Sequence, residues 1–395
     1  MKIEKIEFLN HPIFENNQID FMNQSGDPLN VVILLGDNGT GKTTLLDVIY
    51  HAFLERDKDG NKYRQLKMVN IEGSKVVCEN ETVKIHCLFT VTELEMIKKR
   101  KLVLSDIKTN SPFLVYLPLE SRFDMATGIN NTFMYQPRLA ECVNQRFATN
   151  IPSLIATRIQ SEIFKDINKP PIETIQKVCD EINSIFEIMN LEVKLTGLSA
   201  DEKNEPVFEN KYGKKFNIDK LSSGEKQLFV RALALKFLNA NDCVILIDEP
   251  ELSLHPEWQR KIVHVYENIG KNNQVIIATH SPHVVGGVHS ESLRILVKGD
   301  SGVKALHSEE VEDKVYGKRV DDILQLVMNV NSLRNDDISK KLKRAFDLVS
   351  ENNYRNKEYL NLIEELNGIL GSTDEDLMRL NLEIAIRESK NAKSN

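Results

Sequence analysis

The sequence of 395 residues carries 51 Lys and Arg against 58 Asp and Glu, and its net charge of −7 argues against a protein whose main business is coating nucleic acid. With 41% hydrophobic and 28% charged residues it reads as a globular chain with room for two or three substructures, and no apolar run approaches the roughly 18 residues that span a bilayer. Cys78, Cys87, Cys142, Cys179 and Cys243 include no CxxC pair, so neither a zinc knuckle nor a disulfide framework is expected.

Met1 to Phe8 alternate polar and apolar residues as a strand does, without the apolar core of a signal peptide, so a cytoplasmic location is expected. Residues 17–21 read as a second strand, and the apolar run Val31-Val32-Ile33-Leu34-Leu35 as a buried one. Gly36-Asp37-Asn38-Gly39-Thr40-Gly41-Lys42-Thr43-Thr44 follows and fits GxxxxGK[ST]; Leu45 to Tyr50 then continue at helical spacing. Strand, glycine-rich loop and helix in this order form a phosphate-binding loop, whose backbone N–H groups and helix N-terminus attract phosphate oxygens. Lys42 is placed to reach the β- and γ-phosphates of a bound nucleotide, and the Thr43 hydroxyl to take one Mg²⁺ position.

The helix is expected to run to about Arg56, before a turn over residues 57–61. Residues 76–78 and 82–89 read as a hairpin, with His86 on one face of its sheet. Phe113 to Pro118 is another buried strand; the loop beyond it offers Glu120 and Arg122, and Gln136 lies further on, with the Mg²⁺-sensing role left open among them. From about Ala126 to Asn190 apolar residues recur at three-and-four spacing, an inserted helical lobe, and residues 191–195 and 208–218 return to strand. The clusters Lys98 to Lys101, Lys211 to Lys215 and Lys340 to Arg344 read as solvated faces.

Leu221-Ser222-Ser223-Gly224-Glu225-Lys226-Gln227 opens a helix on a serine cap. The helix continues through Phe229, Ala232, Leu233 and Leu235 with apolar residues nearly all round, so it is buried. Cys243 to Ile247 is a continuous apolar strand ending in Asp248 and Glu249, which sit where a Mg²⁺ ligand and a general base are needed. A helix from Pro256 buries Trp258, Ile262, Val265, Tyr266 and Ile269 and stops at Gly270. Gln274 to Ala278 is one more core strand, followed by Thr279 and His280 at its carboxyl end.

The phosphate loop, LSSGEKQ, ILIDEPELSLHP and IIATHSPH, in that order, resemble the ABC-type ATPase heads shared by the RecF and SMC families, over roughly residues 1–125 and 215–300. The resemblance implies an α/β fold: an ABC-type P-loop NTPase head with a mixed β-sheet in two parts, 1–125 and 191–310. A helical insertion at 126–190 and a C-terminal helical region at 311–395 complete the expected division. It also implies a head-to-head dimer in which ATP on the loop of one chain is closed over by Ser222, Ser223 and Gly224 of the other, with Glu225 beside them. Asp248 carries over as Mg²⁺ ligand, Glu249 as catalytic base, Ser253 and His255 as a dimer-facing loop, and His280 as the γ-phosphate switch.

The tail reads as three amphipathic helices, ~336–350, ~356–370 and ~374–390. A compact head with a short lobe, no long coiled coil and this tail is similar to the ATPases that include PtuA of the Septu anti-phage systems and the retron-associated ATPases. That similarity implies ATP hydrolysis coupled to a separate HNH endonuclease, contact with DNA through the complex, an oligomer of dimer order or above, and no membrane. The competing readings are a DNA-repair ATPase of the SMC or RecF kind and a self-contained defence nuclease. The first lacks here its long heptad arm or basic groove, and the second its strand-then-acid clusters.

Overall fold

Aliphatic runs dictate the centre of the molecule. Val31–Gly36, Val244–Asp248 and Gln274–Ala278 are buried almost throughout, as parallel strands covered on both faces must be. In the computed structural model they lie side by side in a seven-stranded sheet. Its order in space is Gly302–His307, Leu293–Gly299, Val31–Gly36, Gln274–Ala278, Val244–Asp248, Leu114–Leu117 and Ala140–Cys142. All neighbours pair in parallel except the hairpin of Leu293–Gly299 with Gly302–His307, so the sheet is mixed. The structure describes residues 1–53, 67–90, 93–95, 112–119, 140–165, 168–188, 191–201, 204–307, 315–328, 330 and 332–393. Glu120, Arg122, Gln136, the cluster at 98–101 and the predicted helix end near Arg56 lie outside them.

A five-stranded antiparallel sheet, ordered Gln18–Asp20, Lys2–Phe8, Val83–Leu88, Lys75–Glu79 and Lys67–Glu72, supplies a second layer. Period-two alternation gives it an apolar face, and Ile6, Phe8, Val76, Cys78, Ile85 and Cys87 join Leu45, Leu46 and Ile49 of the helix Lys42–Ala52 in one core. The helix that follows the phosphate loop is thereby packed into a core it shares with both sheets.

The strands expected at 191–195 and 208–218 occur as Val193–Leu198, and as Pro206–Asn210 with Lys215–Asn217, but they build a sheet of their own. The helices Ile151–Lys165 and Pro171–Ile188 pack on the helix Ser223–Phe237. Phe229 of that helix stacks on Phe186 at 4.9 Å and meets Phe208 edge-on at 5.1 Å. Ala140–Cys142 falls in the stretch read as helical; three residues carry no readable period, and pairing with Leu114–Tyr116 makes them a strand. The helix expected from Pro256 to Ile269 is two short ones, Pro256–Gln259 and Ile262–Glu267. Trp258 is only half-buried, whereas Ile262, Val265, Tyr266 and Ile269 are buried.

The chain divides into two units, residues 1–323 and 324–395. The second contains the helices Asp336–Ser350, Lys357–Leu370 and Glu375–Lys393, close to the three read from periodicity. Asn335 and Asn356 cap the first two, and Arg334 bridges Asp374 and Asp376 at the start of the third. Leu342, Ala345, Leu348, Leu366, Leu377 and Leu380 give this unit its own core. Among the described residues no helix is long and apolar enough to cross a membrane.

Candidate nucleotide-binding site

The register of the parallel strands assembles the site. Asp248 pairs with Ala278, and Ala278 with Leu34, so three neighbouring strands end in one row at the carboxyl edge of the sheet, where such folds bind ligands. The loop from Gly36, the carboxylates Asp248 and Glu249, and His280 all leave from that row.

Gly36 has φ 152°, and a Cβ there would lie 2.5 Å from the Leu296 carbonyl oxygen, so no other residue fits the start of the loop. Gly41, at φ 85°, is the N-cap of the helix Lys42–Ala52 and offers no side chain to it. The first-turn N–H groups of that helix are therefore available to an anion. Asp37, Asn38 and Gly39 are exposed, while Thr40 is buried and donates from its hydroxyl to the Asp37 carbonyl at 2.9 Å.

Lys42 Nζ folds back to donate to the carbonyls of Gly36 at 2.6 Å and Asp37 at 3.0 Å. Burial lowers its pKa, opposed by Glu249, Asp248, Asp37 and Glu251 around it. The Thr43 hydroxyl donates to Asp248 Oδ2 at 3.0 Å, bringing together two residues 205 positions apart. Burial pushes the Asp248 carboxyl up to about 6; the Thr43 hydrogen bond opposes this, and Glu249 and Asp47 add to it. Hard oxygen donors on adjacent elements, in a crowd of carboxylates, fit Mg²⁺, which Thr43 and Asp248 would hold.

Glu249 adopts φ 42°, a left-handed conformation that turns the chain off the strand just where its side chain is needed. Its N–H donates to the Ala278 carbonyl at 2.9 Å. Its Oε1 stands 4.0 Å from His280 Nε2. Burial, and then Lys42, lower the His280 pKa, so the ring is neutral at pH 7. Sequence reasoning missed Glu251, whose Oε1 accepts from the Thr279 hydroxyl at 2.6 Å and from His280 N–H at 2.9 Å. It holds the backbone at His280, and a third acid after Asp248-Glu249 was the signal available. Sequence reasoning also missed Gln259, which donates to the Leu254 carbonyl and accepts from the Ser281 hydroxyl, joining the 251–255 loop to the His280 strand end.

The helix Ser223–Phe237 starts with a reciprocal capping box: Glu225 N–H donates to Ser222 Oγ, and Ser222 N–H to Glu225 Oε2. Ser222 and Ser223 are exposed and Gly224 is buried, its position leaving 2.5 Å between an added Cβ and the Ser253 carbonyl oxygen. Ser253 itself has φ 63°, and His255 caps the helix Pro256–Gln259. The loop 36–44 thus shares a site with Asp248, Glu249 and His280, whereas among the described residues no hydrogen bond joins it to Ser222, Ser223, Gly224 or Glu225.

Residues 158–286 match the family model described as "AAA domain, putative AbiEii toxin, Type IV TA system". The Retron Vc95 probable ATPase of Vibrio cholerae serotype O1 biovar El Tor is 24% identical, over 87% of this chain and 84% of its own length. The Septu protein PtuA of Bacillus mycoides (strain KBAB4) is 27% identical, over 80% of this chain but only 42% of the relative. Among solved structures, an SMC head bound to the C-terminal winged-helix domain of ScpA aligns over 78% of this chain and 99% of its own, at 14% identity and a TM-score of 0.46. The phosphate loop and paired carboxylates make the chain an ATPase, and its sequence is similar to the retron ATPases and to Septu PtuA.

Proposed function

We propose that this ATPase is a nucleotide-driven clamp that regulates a separate HNH endonuclease in anti-phage defence. The observation that carries the clamp is the division of the site. Each chain has a complete phosphate loop, and it also has a capped helix end at Ser222-Ser223-Gly224 that makes no hydrogen bond to its own loop among the described residues. A second copy, head to head, would let that end meet the phosphates of the first, and larger assemblies can be built from such dimers.

In this reading Lys42 and the N–H groups of residues 39–44 hold the β- and γ-phosphates, and His280 contacts the γ-phosphate. Glu249, whose Oε1 stands 4.0 Å from His280 Nε2, polarises the attacking water. Mg²⁺ held by Thr43 and Asp248 would neutralise charge on the phosphates. ATP binding closes the clamp and hydrolysis opens it, a two-state element to which a partner can couple.

The nuclease partnership is what the resemblance to the Septu and retron ATPases implies, and contact with DNA would come through that complex. Its test is cleavage of plasmid and linear DNA with Mg²⁺, with and without ATP, by the chain alone and after co-purification from cells. The proposal expects an inert chain and a co-purifying nuclease whose cutting depends on ATP. Cutting by the chain alone would replace it with a self-contained nuclease.

A further inference from the structure

Arg231 lies about two turns into the helix Ser223–Phe237 and is 1% exposed, one of the largest fully buried side chains in the chain. Its Nη2 donates to the Pro118 carbonyl at 3.0 Å and makes a longer contact, 3.4 Å, to the Asp248 carbonyl. These carbonyls stand at the ends of two paired parallel strands, one of which carries the site carboxylates. By strict geometry Nε and Nη1 have no hydrogen-bond partner among the described residues, nor does the buried Glu251 Oε2; the buried Tyr266 hydroxyl also meets no strict partner, but it lies within reach of an Arg231 donor.

The charges of Arg231 and Glu251 both act on the Tyr266 hydroxyl, whose pKa burial raises. The other oxygen of Glu251 holds Thr279 and the backbone of His280. A guanidinium taken out of water is costly unless its donors are used, and an aliphatic residue would extend the apolar packing of this helix. What an aliphatic residue could not do is fix two strand-end carbonyls from the helix that begins at Ser222.

We propose that Arg231 is a positioning residue for hydrolysis: it ties the helix of Ser222–Ser223 to the strand ends at Pro118 and Asp248, so the aim of Asp248 and Glu249 depends on where that helix sits. Arg231 touches neither nucleotide nor water and acts through the Asp248 backbone. Nucleotide affinity is set elsewhere, by Lys42 and the loop glycines. Loss of Arg231 therefore lowers kcat and spares binding. The inference rests on Glu249 being the hydrolytic base.

The test compares the full-length parent with Arg231→Met, Arg231→Lys and Glu249→Gln, measuring the Kd of a fluorescent ATP analogue, kcat, KM and Tm. The expected result for Arg231→Met is a Kd within about twofold of the parent and a kcat at least tenfold lower. Arg231→Lys keeps the charge without the fork, and its kcat falls between the two. An unchanged kcat in either folded variant, or a loss of binding in step with kcat, overturns the proposal. Should the methionine variant not fold, the lysine variant decides alone by the same criteria. Parent-like turnover in Glu249→Gln would instead sink the assignment of the base, an outcome separable from any result at Arg231.

Discussion

Asp248 shows how the site trades stability for chemistry. Its carboxyl is raised from 3.8 to about 6 by burial, so its stabilising contribution is full below about pH 4 and lost as pH rises through 6. Above that the buried charge costs about 3 kcal/mol, to order of magnitude. Asp248→Asn removes the charge and keeps a partner for Thr43. In EDTA and without nucleotide, this variant is expected to melt several degrees above the parent at pH 7.5, with the gain shrinking at pH 5, and to have lost turnover. A lower Tm at pH 7.5 would contradict the assignment of burial as the cause. Lys42→Ala should abolish nucleotide binding, measured by the fluorescent analogue, with Tm of the nucleotide-free chain little changed. Lys42, Thr43, Asp248, Glu249 and His280 were legible as sequence because each follows an apolar strand at a fixed offset. Glu251 and Arg231 were not, since their partners are backbone groups and hydroxyls distant in sequence; the one local mark of Glu251 is its place two residues after Glu249, and nothing local marks Arg231.

At the scale of elements, the helix starting at Ser222 is held at two points by contacts no periodicity reveals. Phe229 sits between Phe186 and Phe208, and Gly224 lies against the Ser253 carbonyl. Gly224→Ala would place a methyl 2.5 Å from that oxygen and force the helix end or the 251–255 loop to move. We expect a stability loss of about 1–3 kcal/mol by thermal unfolding and at least tenfold slower phosphate release. Unchanged values would show that the two segments separate freely. The core strands were readable from continuous apolar runs, because burial on both faces leaves no alternative pattern. Ala140–Cys142 was not readable, being three residues long and made a strand by its neighbour. The sheet of Val193–Leu198, Pro206–Asn210 and Lys215–Asn217 was visible as strands, but its separateness from the core sheet depends on pairing partners that a single sequence does not display.

At the scale of the whole molecule, the chain has two units, and the second has a hydrophobic core of its own. Leu366, fully buried in the second unit, is expected to cost about 2–5 kcal/mol when replaced by Ala. Hydrogen exchange should then accelerate across residues 336–393 while ATP-analogue affinity stays at the parent value. Loss of affinity would show that the units do not act independently. The last helix leaves Met378, Leu382 and Ile386 exposed at four-residue spacing, although its other face packs inward through Leu377 and Leu380. In the proposed function Glu249 turns over ATP held by the loop of residues 36–44. Phosphate release by Glu249→Gln, measured at nucleotide saturation beside the parent, tests it most directly. The variant is expected to bind the ATP analogue as the parent does yet release phosphate at least a hundredfold more slowly. Release at the parent rate would contradict it.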